Sequence, residues 1–373
     1  MSRASRRMLF PALLWLVACS SAGNDGTSAG GPVVTSGDAG TPGRSDGGTG
    51  TGWGDAAVPT DGAPASEDAG HGLAGDGAAS AEASSDAGGG SMGPYGGDGP
   101  ATVTTATFQV PSPNGTFATT AYIPGGTGPF PVVVLSSGFF QPGAAYAPYA
   151  NRLASWGMVT FLRDDPNLGE STANVASDVA YTVATWLAAT NADSTSALYG
   201  KVDASRVGLV GHSRGGQIAL LAAEGGAMGK IQGVFGLDPV DSSQNGTPQA
   251  RSTLSTIGVA LAFLGETTDS GSSDCAPAAD NYQVLYQAAA SPAVALTAVG
   301  ADHTMFENPT SCFACTVCTA GTANKAQVLS DAVRYVAAFF ARQLLGDATV
   351  GAAFDGAGAS QDIAAGAIQL TSK

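Results

Sequence analysis

Gly211-His212-Ser213-Arg214-Gly215 is the stretch in which residue types, spacing and surroundings together offer nucleophilic chemistry. The pattern Gly-x-Ser-x-Gly says little by itself in a chain with 53 glycines, and it recurs at Gly26 to Gly30 and at Gly89 to Gly93. Context separates them. Ser213 follows a short apolar strand, Val207-Gly208-Leu209-Val210, and opens a helical stretch, Gln217 to Glu224. A tight turn between the two would expose the hydroxyl near the positive end of the helix. Gly211 and Gly215 are expected where a side chain would collide with neighbouring backbone.

A serine hydroxyl attacks a carbonyl carbon only if a base takes its proton. The chain has three histidines. His71 lies in Gly/Asp-rich text, and His212 adjoins the serine, so its ring must point away from the hydroxyl. His303 remains, just past the last apolar strand in Gly300-Ala301-Asp302-His303-Thr304-Met305. An acid should orient its imidazole. Asp238, in Gly236-Leu237-Asp238-Pro239-Val240-Asp241, ends the strand after the serine strand; Asp269 or Glu266 follows the next strand, and Asp241 is a further candidate. The oxyanion of acyl transfer would be held by the backbone N–H of Arg214 and by that of Phe139 or Phe140, after Ser136-Ser137-Gly138. Phe140 could also line a substrate pocket.

These groups need a scaffold that presents loops at the carboxyl ends of strands. Thr102 to Val110 and Thr116 to Ile123 read as a hairpin joined by Pro111-Ser112-Pro113-Asn114-Gly115. Short apolar strands follow at Pro131 to Ser136, Met158 to Leu162, Arg206 to Val210, Ile231 to Leu237, Gly258 to Leu264 and Ala293 to Val299. Helical text lies at Tyr146 to Trp156, Val175 to Ala189, Gln217 to Glu224 and Lys325 to Leu345. Alternating apolar strands and helices imply an α/β fold: a mostly parallel central sheet, helices on both faces and an antiparallel N-terminal edge. The short text between Asp238 and the next strand leaves no room for a large cap domain. An open site of that kind suits bulky or polymeric substrates.

The rest of the chain reads as an address and a spacer. Arg3, Arg6 and Arg7 precede an apolar run, Met8 to Ala18, too short to span a bilayer. Leu16-Val17-Ala18-Cys19 resembles the lipobox of bacterial lipoproteins, in which cleavage leaves a lipid-modified cysteine at the new N-terminus. Residues 1–18 are thus expected to be a signal peptide and Cys19 a lipid anchor, with Ser20 resembling the signal for the outer membrane or cell surface of a Gram-negative bacterium. Residues 19–100 hold too little apolar surface to fold and are expected to form a tether with a span of about 50 Å. The folded domain is expected over 101–346, with 347–373 a loosely ordered tail. A formal net charge of −15 with only 15 Lys+Arg argues against nucleic acid as a partner.

The motifs together resemble the chlorophyllase group of α/β-hydrolases and, more distantly, cutinase-like polyester hydrolases and platelet-activating-factor acetylhydrolases. The likeness runs from about Phe130 to Phe306 through Ser137-Gly138-Phe139, Gly211 to Gly216, Gly236 to Asp241, Cys275-Ala276-Pro277, Asn281-Tyr282 and Asp302-His303. It implies an α/β-hydrolase fold and a serine esterase that needs no metal or organic cofactor. It also implies Asp238 as the acid. The lipobox, the tether and Cys312-Phe313-Ala314-Cys315-Thr316-Val317-Cys318 depart from that pattern, and no residues can be matched to a chlorophyll site. A lipase or phospholipase-type acetylhydrolase acting on membrane lipids and a non-catalytic binding protein are the competing readings. In an exported protein Cys275, Cys312, Cys315 and Cys318 read as two disulfides of undetermined pairing, in preference to a zinc or iron-sulfur site. A monomer is expected.

Overall fold

A computed structural model of the chain describes residues 93–164, 170–225, 227, 229–271, 274–308, 318–351, 354 and 357–373. The expected signal peptide, Cys19, nearly all of the tether, Cys312 and Cys315 lie outside the described residues. Among the described residues nine strands form one sheet in the order β1-β2-β4-β3-β5-β6-β7-β8-β9. The antiparallel edge is the hairpin of β1 (Val103–Ser112) and β2 (Gly115–Pro124), and β2 continues antiparallel onto β4 (Val159–Arg163). From β4 the sheet runs parallel through β3 (Phe130–Ser136), β5 (Val202–His212), β6 (Ile231–Leu237), β7 (Ala260–Glu266) and β8 (Ala293–Ala298). This is the mostly parallel sheet with an antiparallel N-terminal edge that the strand and helix text implies, and it is consistent with the α/β-hydrolase fold that the resemblance implies.

The parallel strands are mostly apolar because both faces are covered. Successive side chains point to opposite faces. Val133, Leu135, Val210 and Leu237 thus join one core, against α1 (Ala147–Ser155) and α6 (Lys325–Phe340); Val132, Val134, Leu209 and Val234 join the other. That second core is closed by α2 (Thr172–Tyr181), α3 (Leu187–Ala192), α4 (Arg214–Glu224) and α5 (Tyr282–Ala288). Phe340 of α6 is fully buried against the sheet, a burial worth about 1.5–3 kcal/mol. Ser171 starts α2 by accepting from the Asn174 N–H, and Asn324 starts α6 by accepting from that of Gln327. Between β6 and β7 the described chain forms only short 3-10 turns from Gln244 to Thr256, so no large cap covers the strand ends there.

The C-terminal segment differs from the loose tail expected for 347–373. It contributes α7 (Ala357–Ala364) and β9 (Ile368–Ser372), the latter antiparallel to β8. Two forces fix it. β9 satisfies the open hydrogen-bonding edge of β8, and Asp362 of α7 is gripped by buried groups of α6, taking Arg334 Nη2 at 2.7 Å and the Tyr335 hydroxyl at 2.6 Å. Phe354 is buried with its ring 5.4 Å from that of Tyr335. The folded unit therefore extends to the last strand.

Candidate active site

β5 runs directly into the turn at Ser213, and α4 starts on the next residue. Ser213 sits at φ 54° and ψ −124°, a conformation that costs a non-glycine residue about 1–3 kcal/mol. Neighbouring backbone holds it there. The Ser213 N–H donates to Leu237 O at 3.0 Å, and Ser213 O accepts from Gly216 N–H at 2.9 Å and Val240 N–H at 3.1 Å. Gly211 and Gly215 are required by contact: a Cβ on Gly211 would lie 2.0 Å from Gly215 O, and one on Gly215 would lie 2.1 Å from Ser136 O. The turn is thus wedged between β6 and the end of β3.

His303 opens a 3-10 turn, His303–Phe306, after β8. Asp302 anchors that turn: its Oδ1 accepts from the Thr304 N–H and hydroxyl, both at 2.9 Å, and its Oδ2 from the Gly321 N–H at 2.7 Å. The His303 imidazole lies 2.6 Å from Asp238, Nδ1 to Oδ2. Asp238, at the end of β6, is fully buried at φ 38° with its N–H on Leu264 O at 2.6 Å. The structure therefore brings His303 and Asp238 together, and Asp238 directly follows Leu237, whose carbonyl holds the turn, or elbow, of Ser213. His212, the residue before the serine, stacks on His303 with ring centres 4.6 Å apart. Among the described residues the Ser213 hydroxyl holds no hydrogen-bond partner. Contacts of this kind commonly close only when substrate binds.

Burial sets the protonation of the pair. It pulls His303 down to about 4, overriding the pull of the nearby carboxylates Asp269, Glu307 and Asp302, so the ring is neutral and able to accept a proton near pH 7. The same burial, with the charges of Asp269 and Asp302, pushes the Asp238 carboxyl upward. The other acids are occupied elsewhere. Asp269 Oδ1 accepts from the amides of Cys275 and Thr319, each at 3.1 Å. Glu266 accepts from the amides of Thr268 and Asp269. Asp241 takes Ala250 N–H at 2.6 Å and Arg251 Nε at 2.7 Å.

The turn after β3 faces the elbow. Phe139 and Phe140 are both exposed, 43% each, with ring centres 4.7 Å apart, and Phe140 stands at φ 60°. Gly138 N–H is already spent on the Tyr146 hydroxyl at 3.1 Å, whereas the Phe139 N–H takes no partner among the described residues. Arg214 starts α4 and places its guanidinium 5.7 Å from the centre of the Phe139 ring, anchored by Nε on Thr172 Oγ1 at 3.0 Å and by Nη2 on Glu170 O at 2.5 Å.

Cys275 and Cys318 form a disulfide, which joins the loop after β7 to the segment that follows the His303 turn. Asp269 lies beside these two sulfurs, but each is bonded to the other and neither is a thiolate able to take a metal. Sequence reasoning did not find Tyr146. Its hydroxyl bonds the ring of a residue 66 positions away, and nothing local in the text marks such a contact.

Residues 98–354, more than half of the 373-residue chain, match the chlorophyllase family. No curated protein matches the chain. With the parallel sheet and the strained serine elbow already described, that match settles kinship: the chain belongs to the chlorophyllase family, ester hydrolases of the α/β-hydrolase type.

Proposed function

We propose that this protein cleaves carboxylic esters through an acyl-enzyme on Ser213, with His303 as base and Asp238 as the orienting acid. The observation that carries this reading is the 2.6 Å bond between His303 Nδ1 and buried Asp238, set beside a serine held on a left-handed turn. Nδ1–H donates a hydrogen bond to Asp238, which keeps the proton on Nδ1 and leaves Nε2 bare, the tautomer a base requires. As Ser213 Oγ bonds to the ester carbon, its proton passes to Nε2. The carbonyl oxygen becomes an oxyanion, met by the N–H groups of Phe139 and Arg214. Collapse breaks the bond to the alcohol, which takes the proton from Nε2. Water then repeats the sequence on the acyl-enzyme, with Nε2 first accepting and then returning its proton, and the acid is released.

Exposed Phe139 and Phe140 and the capless stretch between β6 and β7 favour bulky apolar esters, with Phe140 as a substrate contact. Turnover of p-nitrophenyl esters by the wild-type protein, abolished by Ser213→Ala, tests the reading; equal turnover by both refutes it. Preference for long acyl chains presented in membranes would favour the lipase reading. We also propose export and lipid anchoring at Cys19, supported by Leu16-Val17-Ala18-Cys19 after a basic and apolar leader. Incorporation of labelled fatty acid that is lost in Cys19→Ser checks it.

A further inference from the structure

The mechanism above makes no use of the second histidine at the site, yet His212 is buried and bonded at both ring nitrogens. Its Nε2 lies 2.9 Å from the carbonyl oxygen of His303. A carbonyl only accepts, so Nε2 bears the proton and donates. Burial and the neighbouring His303 pull His212 down to about 3, and the ring is neutral with a bare Nδ1. That nitrogen accepts from the Tyr146 hydroxyl at 2.7 Å. The Tyr146 oxygen in turn accepts the N–H of Gly138 at 3.1 Å, and Glu307 Oε2 at 3.2 Å is the longer of the two acceptors within reach of its proton. The turn is pressed onto this pair: a Cβ on Gly138 would stand 2.9 Å from His212 Nδ1.

A continuous chain of hydrogen bonds thus runs from Gly138 N–H through Tyr146 and His212 to the main chain of His303. One end fixes the residue before Phe139, the proposed oxyanion donor. The other fixes the backbone that carries the base. The middle is the residue before the nucleophile. We propose that His212 is a positioning residue whose ring, with the Tyr146 hydroxyl, sets the spacing between the oxyanion turn, Ser213 and His303. This rests on the ester-hydrolase reading of the same site. A misplacement near 1 Å in such a set costs about 10²-fold in rate.

The test compares His212→Ala, His212→Gln and Tyr146→Phe, with turnover divided by the number of serines that react with a fluorophosphonate. A merely structural role would lower the number of reactive sites and leave the rate of each unchanged. The expected result is a fall of about 10²-fold in kcat per reactive site for His212→Ala, with KM nearly constant. His212→Gln should recover most of that loss, because its side-chain amide can still donate toward the His303 carbonyl. Tyr146→Phe, which keeps the ring and removes one hydroxyl, should fall about tenfold per site and decides the matter if His212→Ala does not fold. Unchanged kcat per reactive site in Tyr146→Phe and in whichever His212 variants fold overturns the proposal. Ester turnover by wild type that is absent in Ser213→Ala shows the underlying reading intact; without it, that reading has failed first.

Discussion

Two carboxylates, Asp238 and Asp269, sit at the ends of successive strands, both fully buried, and their surroundings give them opposite work. Asp238 meets the His303 imidazole at 2.6 Å. Asp269 spends Oδ1 on the amides of Cys275 and Thr319, the two segments that the disulfide also joins. A strand end supplies a place for an acid; the partners decide what that acid does. In the proposed mechanism Asp238 faces a group that gains a proton, and Asp269 faces amides that do not change.

The largest contrast should come from removing each charge in turn. Asp238→Asn is expected to lower kcat by about 10⁴-fold, because the amide no longer fixes the imidazole tautomer. Asp269→Asn should leave kcat within a few-fold and lower the melting temperature instead. Steady-state kinetics on the folded variants decides it, and a loss of activity in Asp269→Asn matching that of Asp238→Asn would break the comparison. Next in size is the disulfide. Cys275→Ser should lower stability by about 2–4 kcal/mol in denaturant unfolding, while the folded enzyme keeps most of its kcat.

The pH profile sharpens the comparison further. His303 is a base only when deprotonated, and burial brings it down to about 4. The acid limb of kcat/KM should therefore lie well below the ordinary histidine value, with activity retained at pH 5.5 and lost as pH falls through the region of 4. A limb near pH 6.5 would contradict the burial of the base. The smallest effect belongs to the rim. Phe139→Ala should raise KM for bulky apolar esters by roughly tenfold or less, leaving acetate esters nearly unchanged.

Which parts of this were legible in the sequence follows from how local each signal is. The elbow was readable because glycine, serine and glycine are fixed within five residues by the contacts of Gly211 and Gly215. His303 emerged by elimination, since the other candidates were adjacent to the serine or in tether-like text. Asp238 stood among open alternatives until resemblance favoured it, because strand-end acids differ only in their tertiary partners. β9 was missed: Ile368-Gln369-Leu370-Thr371 is a short alternation in Gly/Ala-rich text, and its pairing with β8 is a long-range event. The Cys275–Cys318 pairing was equally beyond the text, and the role of Cys312 and Cys315 lies outside the described residues.

The central claim is that Ser213 is the nucleophile and depends on His303. Mass analysis after brief exposure to a fluorophosphonate tests it most directly. One adduct on the peptide bearing Ser213 is expected, with none in Ser213→Ala and strongly slowed labelling in His303→Ala. Full labelling of Ser213→Ala, or rapid labelling undiminished in His303→Ala, would contradict the account.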